Sequence, residues 1–332
     1  MYTLSELQKC VASYMENLNV DGEPHSLYEP ISYSLAAGGK RVRPMLTVLA
    51  CNVVSDNALS ALPAAAALEV FHTFTLLHDD VMDNATVRRG KPSVFGKWGT
   101  NAALLSGDAM MIYSYKLLQQ TPVEYLPAVL GCFNYTAMTV CEGQQVDMEF
   151  EHRTDVTMEE YMSMIDKKTA ALFAACGSMG AMSVGASSER VEAMHTFGKM
   201  LGIAFQIVDD ILDYIPNNNT GKPASNDLRE RKITLPLIEV LERVSEGEKE
   251  EILRHLPLCA ESDESVAFIQ QKVAEHRGVE LAQQTVQAYL QQAMSALSLC
   301  EETPHRDSLL ALCEFVMERD REAKNLIRNK LY

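Results

Sequence analysis

Apolar residues recur at helical spacing over most of the chain. Near the N-terminus, Leu4, Leu7, Val11, Tyr14 and Leu18 fall on one face of a helix. Proline, glycine and acidic residues at segment ends fit helix starts and stops. By the same criteria we expect further helices over residues 26–37, 44–54, 63–83, 101–119, 123–151 and 188–214, and a helix start at residues 155–157. From residue 233 onward the patterns are again helical and end in a long run over residues 306–329. No segment alternates convincingly between apolar and polar residues, so the predicted fold is all-α.

Two segments are predicted to lack regular structure. Residues 84–99 are polar, basic and punctuated by glycine, as is typical of a loop. Residues 216–227 (PNNNTGKPASND) form the longest flexible-looking stretch, which is either a surface loop or a lid over a substrate. The chain shows no internal repeat of solenoid period. We therefore expect one all-α domain over residues 1–332.

Two acidic clusters follow the most apolar segments of the chain. The first is DDVMD at residues 79–83, after the apolar run 58–77, and the second is DDILD at residues 209–213, after the run 201–208. In a helix, aspartates four positions apart lie on one face and repel by roughly 0.2–0.5 kcal/mol per pair. One such cluster is usually a solvated acidic face. Two copies beside apolar surface predict binding of a cation, and carboxylate oxygens suit Mg²⁺.

Charge is distributed unevenly along this chain. Among 332 residues, 47% are hydrophobic and 22% are charged, and the formal net charge is −16. This balance indicates a globular protein and argues against general binding to nucleic acid or to anionic lipid. Lysine and arginine are concentrated in short stretches around residues 40–43, 88–91, 167–168 and 229–232. Basic groups of this kind, together with acidic clusters, favour a ligand that is anionic and metal-bound.

The cysteines and the longest apolar run bear on the compartment. The eight cysteines form no CxxC pair and are interpreted as reduced thiols of a cytoplasmic protein. No secretory signal opens the chain. The apolar run 58–77 is the best candidate for a membrane span, but it contains Pro63, Glu69 and His72. We therefore expect a buried core helix and no membrane insertion.

Common catalytic motifs are absent from the sequence. There is no P-loop GxxxxGK[ST], no HExxH and no GxSxG, which argues against P-loop nucleotide hydrolysis, zinc-protease chemistry and α/β-hydrolase chemistry. The residues around both acidic clusters are apolar and include Phe71, Phe74 and Phe205. Such surroundings favour a substrate with a charged head and an apolar tail.

An ordered set of short motifs accompanies the two clusters. In chain order they are GGKRVRP (38–44), His72, DDVMD (79–83), RRG (88–90), KT (168–169), FQ (205–206), DDILD (209–213), GK (221–222) and KITLPLI (232–238). This set resembles the trans-isoprenyl diphosphate synthases of the polyprenyl synthetase family. The resemblance implies an isoprenoid synthase-type helical bundle around a central cavity, with the two aspartate-rich helices facing each other. It also implies a homodimer.

The resemblance implies a reaction and a set of residues. A Mg²⁺-dependent prenyltransferase of this family joins isopentenyl diphosphate head-to-tail to an allylic diphosphate, with three ions expected per active site. The metal ligands would be Asp79 and Asp83 on one side and Asp209 on the other, with weaker claims for Asp210 and Asp213. The allylic diphosphate would be held by Arg88, Lys168, Lys222 and Lys232, and isopentenyl diphosphate by Lys40, Arg43, His72 and Arg89. Lys168, Thr169 and Gln206 would act on the reacting allylic cation.

Two further aspartates receive supporting roles from the same resemblance. Asp80 matches the first motif but would act behind the metal ligands, and Asp147 would pair with a lysine such as Lys168. One departure concerns Arg231, which stands where many relatives have glycine before the lysine that matches Lys232. The geometry of that loop is therefore less closely specified by the resemblance.

Product length is expected to depend on the helix before Asp79. The length gauge of the family lies four and five residues before the first aspartate, here Thr75 and Phe74. A phenylalanine at the farther position with a small threonine at the nearer one resembles the pattern of family members whose products stop at twenty carbons. Geranylgeranyl diphosphate is therefore the favoured product. Farnesyl diphosphate or a longer polyprenyl diphosphate is the alternative.

Two other functions are alternatives to the hypothesis of a prenyl diphosphate synthase. A terpenoid cyclase would carry a second motif of the form [ND]Dxx[ST]xxxE, but Asp213 and Asn217 occupy its hydroxyl and glutamate positions. A non-catalytic regulatory subunit would be expected to lack an acidic cluster or a phosphate-binding lysine or arginine, and none is obviously missing. Both alternatives predict that the purified protein forms no linear prenyl product.

Overall fold

The computed structural model describes residues 2–39, 41–215, 225–300 and 303–328. In these ranges almost all regular structure is helical, so the predicted all-α class is confirmed. The α-helices are α1 (Leu4–Glu16), α2 (His25–Ala36), α3 (Val42–Val54), α4 (Leu62–Met82), α5 (Val94–Trp98), α6 (Thr100–Leu118), α7 (Leu126–Phe150), α8 (Met158–Ile165), α9 (Ala171–Met182), α10 (Ser188–Asp213), α11 (Asn226–Arg229), α12 (Leu235–Leu241), α13 (Glu246–His255), α14 (Asp263–Glu275), α15 (Gly278–Ala296) and α16 (Pro304–Arg328).

The chain divides into two compact units. Unit 1 comprises Met1–Tyr135, Phe173–Gly198 and Ala296–Leu312. Unit 2 comprises Thr136–Leu172, Lys199–Ser295 and Cys313–Tyr332. The boundaries fall within α7, α9, α10, α15 and α16, which are continuous helices. One domain over residues 1–332 stays a prediction.

Helix α4 forms the centre of unit 1. Its first half carries four consecutive alanines, Ala64–Ala67, each at most 1% exposed. Small side chains let neighbouring helices approach closely, and α4 packs against α3 and α6. Leu68, Val70 and Phe71 are also buried and extend this core toward the end of the helix. The packing therefore fixes the position of the acidic cluster at the end of α4.

The same helix resembles a membrane span in length and composition. Within the described residues, Ala58–Met82 is the one helical stretch that passes this test. More than half of its most apolar window is buried inside the protein. Burial against neighbouring helices favours the interpretation as a core helix.

The segment predicted to be a loop, residues 84–99, contains short regular elements. Strand β1 (Val87–Arg88) pairs antiparallel with β2 (Lys91–Pro92). Arg89 and Gly90 between them have positive φ angles of 53° and 72°, which suits a two-residue hairpin turn. The hairpin is followed by α5, whose first turn is capped by the Ser93 hydroxyl. Two-residue strands are too short to produce the alternation by which sequence analysis recognises a strand.

Unit 2 includes a distorted helical turn between α8 and α9. Helix α8 starts at the predicted place, because Thr157 and Glu160 form a reciprocal capping box there. After α8, Asp166–Ala170 form a π-helical turn, a rare local widening often found at functional sites. This turn carries Lys168 and Thr169, two of the residues predicted to act on substrate.

A glycine on α7 allows this π-helical turn to approach. A Cβ atom added at Gly143 would lie 2.3 Å from the backbone nitrogen of Lys168. Gly131 on the same helix has nothing within 4 Å of such an atom. Residue 143 thus lies where two backbones meet and residue 131 lies in open space.

We expect Gly143→Ala to destabilise the protein and Gly131→Ala to leave it unchanged or slightly more stable. A clash with backbone costs about 1–3 kcal/mol, whereas replacing glycine by alanine inside an exposed helix gains up to about 1 kcal/mol. Denaturant unfolding of both variants measures the difference. Equal stabilities for the two variants would contradict the close backbone contact.

Candidate active site

The first acidic cluster lies in the last turn of α4 and at its C-cap. Asp79 and Asp83 are half-buried, and the backbone N–H of Asp83 donates to the carbonyl of Asp79 at 2.8 Å. The carboxyl end of a helix carries partial negative charge, so aspartates there are disfavoured by about 0.3–1 kcal/mol each. The position adds to the repulsion among the carboxylates and increases the need for cations.

Arg88 supplies one of these cations. Its Nε donates to Oδ1 of Asp80 at 2.7 Å, and Asp80 is only 2% exposed. Burial raises the pKa of Asp80, and the neighbouring Arg88 opposes that effect. The structure therefore places Asp80 behind the cluster, in contact with the β1–β2 hairpin. Contact of Arg88 with a diphosphate stays a prediction.

A second group of cations in unit 1 surrounds His72. Nη1 of Arg43 lies 3.1 Å from Nε2 of His72, and the Arg43 guanidinium stacks 4.6 Å above the Phe173 ring. Arg89 donates to the backbone carbonyl of Gly38. Burial, then Arg43 and Arg89, lower the pKa of His72 well below its usual value. The imidazole is therefore neutral at pH 7 and accepts a hydrogen bond from Arg43.

This His72 environment predicts a loss of stability in acid. The unfolded chain takes up a proton on His72 near pH 6.5, whereas the folded protein resists protonation. The contribution to stability is thus present above about pH 6.5 and is lost as the pH falls below it. We expect His72→Asn to reduce the slope of unfolding free energy against pH between about 6.5 and 5. The matched variant His25→Asn, at a side chain 76% exposed, should leave that slope unchanged.

An ion pair behind this group was missed from the sequence. Arg41 Nη1 lies 2.6 Å from Oε1 of Glu69, and Arg41 Nη2 donates to the carbonyl of Leu35 at 2.7 Å. Arg41 adopts a left-handed φ of 49° at the start of α3. The pair anchors Arg41 at the start of α3. The sequence did contain one indication of this ion pair, because Glu69 is a charged residue inside the apolar run 58–77.

The second acidic cluster lies in the last turns of α10. Asp209 is paired with Arg319 of α16, whose guanidinium also lies 4.8 Å from the centroid of the Phe205 ring. The Arg319 side chain is 12% exposed and that of Asp209 is 39% exposed. Arg319 was missed because 110 positions separate it from Asp209 and no local motif marks it. Like α4, α10 thus ends in carboxylates that contact an arginine.

Asp213 makes different contacts from Asp209. Its Oδ1 and Oδ2 accept the backbone N–H groups of Asn226 and Asp227, each at 3.0 Å. The side chain is 9% exposed. Asp213 therefore holds the start of α11, and its role as a metal ligand stays a prediction.

Two lysines of unit 2 share one carboxylate. Lys168 Nζ lies 2.6 Å from Oδ2 of Asp147, and Lys232 Nζ lies 3.7 Å from the same atom. Although burial alone raises the pKa of Asp147, the two lysines hold it below its usual value. Lys232 also contacts Glu230 at 2.7 Å. The expected pairing of Asp147 with Lys168 is confirmed, and Asp147 holds two predicted diphosphate-binding lysines together.

Hydrogen bonds link Thr169 to the second cluster. The Thr169 hydroxyl donates to Oε1 of Gln206 at 2.7 Å, and Nε2 of Gln206 donates to Oδ1 of Asp210 at 2.7 Å. The other carboxylate oxygen accepts from the Tyr161 hydroxyl. Burial and then Asp210 raise the pKa of Tyr161, so the phenol keeps its proton. Thr169 and Gln206, predicted to act together, are in direct contact.

Comparison with known proteins places these features in a family. Residues 24–273 match the model of the family described as Polyprenyl synthetase. The chain belongs to the polyprenyl synthetase family. It is a prenyltransferase with the all-α fold of that family.

Individual relatives agree with this assignment. A geranylgeranyl diphosphate synthase of Methanosarcina mazei is 37% identical over 302 residues, which cover 90% of this chain and 91% of that protein. A geranylfarnesyl diphosphate synthase of Natronomonas pharaonis is 33% identical over 316 residues, covering 90% and 91%. The crystal structure of a geranylgeranyl pyrophosphate synthetase from Pyrococcus horikoshii superposes with a TM-score of 0.87 at 33% identity and covers 95% of this chain and 97% of that one.

The family implies a divalent metal, and the donor set fits one. Asp79, Asp83 and Asp209 present carboxylate oxygens that are only part-buried at helix ends. Hard cations such as Mg²⁺ prefer oxygen donors and bind through one or two carboxylates together with substrate phosphates. The carboxyl ends of helices further favour positive charge. Asp79 and Asp83 in unit 1, and Asp209 in unit 2 with a lesser claim for the engaged Asp213, are the residues that would hold metal in each unit.

Phe74, the predicted length gauge, lies on the side of α4 that faces α6. Its ring centroid is 4.7 Å from that of His78 and 5.5 Å from that of Phe71. A Cβ added at Gly107 of α6 would come within 3.4 Å of the Phe74 ring. The Thr75 hydroxyl instead donates to the backbone carbonyl of His72. The two gauge residues thus point in different directions from α4.

Two predicted site residues lie outside the described residues, namely Lys40 and Lys222. Most of the predicted loop or lid, residues 216–227, lies outside them as well. Within unit 1 the structure brings Arg43 to His72 and Arg89 to the turn at Gly38. Within unit 2 it groups Lys168 with Lys232, and Thr169 with Gln206.

Proposed function

We propose that this prenyltransferase condenses isopentenyl diphosphate with allylic diphosphates, head to tail and trans, and releases geranylgeranyl diphosphate. The observation that carries the proposal is the pair of aspartate clusters at the carboxyl ends of α4 and α10, in a chain of the polyprenyl synthetase family. The relatives named geranylgeranyl diphosphate synthases support the product.

Binding of the two diphosphates would be divided among the basic residues. Arg43, His72 and Arg89, with Lys40, would hold isopentenyl diphosphate. Arg88, Lys168 and Lys232, with Lys222, would hold the allylic diphosphate. Mg²⁺ ions held by the aspartates would neutralise the allylic diphosphate and make it a better leaving group. Arginine offers a planar fork for phosphate oxygens and lysine a compact charge.

The chemical step follows from that arrangement. Loss of diphosphate leaves an allylic cation, and the double bond of isopentenyl diphosphate attacks it to form the new carbon–carbon bond. The departing diphosphate takes up the proton that is then lost. The oxygens of Thr169 and Gln206 would stabilise the cation as preorganised dipoles. The Thr169 hydroxyl donates a hydrogen bond to Gln206. The lone pairs of the Thr169 oxygen therefore point away from Gln206 and suit a positive charge.

Incubation of the purified protein with Mg²⁺, isopentenyl diphosphate and each allylic primer tests this function. Mass spectrometry should detect a linear twenty-carbon diphosphate as the main product. Cyclic hydrocarbons would identify a terpenoid cyclase. No product with any primer would favour a regulatory subunit, whereas a fifteen-carbon or longer product would retain the reaction and revise the product length.

We also propose that the enzyme is a homodimer. The outer face of α6 exposes Leu105 and Ile112, at 61% and 70%, and Tyr135 on α7 is 74% exposed. Leu105 and Ile112 lie seven positions apart on one face of α6, and large apolar side chains exposed together are typical of an interaction surface. Light scattering should give twice the monomer mass, and Ile112→Glu should shift the protein toward monomer. A monomeric wild-type protein would contradict the proposal.

A cytoplasmic location is the remaining part of the proposal. All eight cysteines are free, and five of them are buried. A chain of reduced, buried thiols fits a reducing compartment. Cell fractionation with an antibody against the protein measures the location.

A further inference from the structure

The hydrogen-bond chain of unit 2 extends beyond the residues that would touch the substrate. Thr169 and Gln206 belong to the proposed reaction, but Gln206 continues to Asp210 and Asp210 continues to Tyr161. Tyr161 is 0% exposed and Asp210 is 4% exposed, so water does not compete for these bonds. Each member therefore depends on the next one for its orientation.

The direction of this chain follows from its donors and acceptors. A glutamine amide has one acceptor oxygen and one donor nitrogen, and the two are nearly equal in shape. Oδ1 of Asp210 accepts from Nε2 of Gln206, which turns Oε1 toward Thr169. The Thr169 hydroxyl must then donate to Oε1, and its lone pairs face away from Gln206. With the amide reversed, Thr169 would accept from Gln206 and direct its O–H proton outward.

Tyr161 determines which oxygen of Asp210 is available to Gln206. Its hydroxyl binds Oδ2, which leaves Oδ1 directed at the amide nitrogen. Tyr161 is the fourth residue of α8, a helix whose start is fixed by the Thr157–Glu160 capping box. The tyrosine is thus held rigidly, as a group that orients others must be.

We propose that Tyr161 is a positioning residue, which acts through Asp210 and Gln206 to direct the Thr169 oxygen toward the allylic cation. The inference rests on the proposed function and deepens it. Tyr161 touches no substrate, and its hydroxyl takes no part in bond making. Without it, the Asp210 carboxylate is free to rotate, the Gln206 amide loses its fixed partner, and the Thr169 lone pairs are no longer held toward the cation.

The kinetic test uses Tyr161→Phe, which removes the hydroxyl and keeps the ring. We expect kcat to fall about ten-fold, the size typical of a lost orienting group, with KM for isopentenyl diphosphate changed less than two-fold. The fraction of allylic cation captured by water, measured as prenyl alcohol per condensation, should rise. Tyr214→Phe is the matched control, because Tyr214 is also buried in unit 2 and its hydroxyl accepts only a 3.4 Å bond from Thr234 among the described contacts.

A double-mutant cycle separates positioning from loss of stability. If Tyr161 acts through Thr169, Tyr161→Phe should change kcat less than two-fold in the Thr169→Val background. Effects that multiply in the double variant, or an unchanged alcohol fraction in Tyr161→Phe, would overturn the proposal. Thermal unfolding of each variant, carried out in parallel, identifies any change that follows from unfolding alone.

A binding measurement makes the inference independent of turnover. The probes are an allylic diphosphate analogue with a protonated nitrogen at the cationic carbon, and its uncharged carbon isostere. Calorimetry should give tighter binding of the charged probe to wild-type protein, and Tyr161→Phe should lose at least about five-fold of that preference. Retention of the preference would overturn the inference. A wild-type protein that shows the preference but condenses no substrate would contradict the proposed function alone.

Discussion

Replacing Asp79 with asparagine should lower kcat/KM for condensation at least about a thousand-fold. A bound metal contributes several kcal/mol to charge stabilisation in the transition state, and a thousand-fold corresponds to about 4 kcal/mol. The loss is expected to be large because Asp79 lies in the last turn of α4, where no positive helix end could replace the metal. Steady-state kinetics at saturating Mg²⁺ measures the effect.

Two comparisons make this result specific to the metal. Asp56→Asn removes an exposed carboxylate elsewhere in unit 1 and should leave kcat/KM unchanged. The rise in unfolding temperature on addition of Mg²⁺ and a diphosphate should shrink in Asp79→Asn and remain in Asp56→Asn. Activity above about a tenth of wild type in Asp79→Asn would exclude Asp79 as a necessary metal ligand.

Replacing Phe74 with alanine should lengthen the product beyond twenty carbons. The ring lies between α4 and α6 beside His78, which is the nearest side chain to Gly107, so its removal opens room below the acidic cluster. The released space is bounded by Phe71, which is only 1% exposed and stacks edge-on against Phe133 at 5.3 Å. We therefore expect a limited extension, with twenty-five and thirty carbons as the main products by mass spectrometry.

The opposite change tests the same gauge. Thr75 lies one helical turn before Asp79, so Thr75→Phe places a ring directly below the first aspartate. The expected product is farnesyl diphosphate, with fifteen carbons. If the Phe74→Ala enzyme still makes a twenty-carbon product, Phe74 does not limit product length. Phe71 and Phe133 are then the next candidates.

Helix positions were predictable where one chain segment contains the whole signal. The start of α8 follows from Thr157 and Glu160, and the course of α4 follows from its apolar run before Asp79. The π-helical turn at Asp166–Ala170 was not predictable, since its cause lies in α7. In α7, Gly143 lacks a side chain and so lets the backbone of Lys168 come close. The sequence around residue 168 contains no sign of that contact.

The candidate site likewise contains residues that were predictable from one chain segment and residues that were not. Asp79, Asp83 and Asp209 were predicted from local spacing, and the pairing of Asp147 with Lys168 was expected from resemblance. Arg319 and Tyr161 were missed, because each meets its partner through the fold at 110 and 49 positions' separation. Local patterns report residues that share a helix face, whereas ion pairs between helices depend on how the helices pack.

The contact between Arg319 and Asp209 has a practical consequence for anyone producing this enzyme. The arginine belongs to α16, within the last fourteen residues of the 332-residue chain. A shortened protein that ends before position 319 would lose the countercharge of Asp209, although it would keep every aspartate of both clusters. Purification tags are therefore better placed at the amino end, where α1 contains none of the residues assigned to either diphosphate.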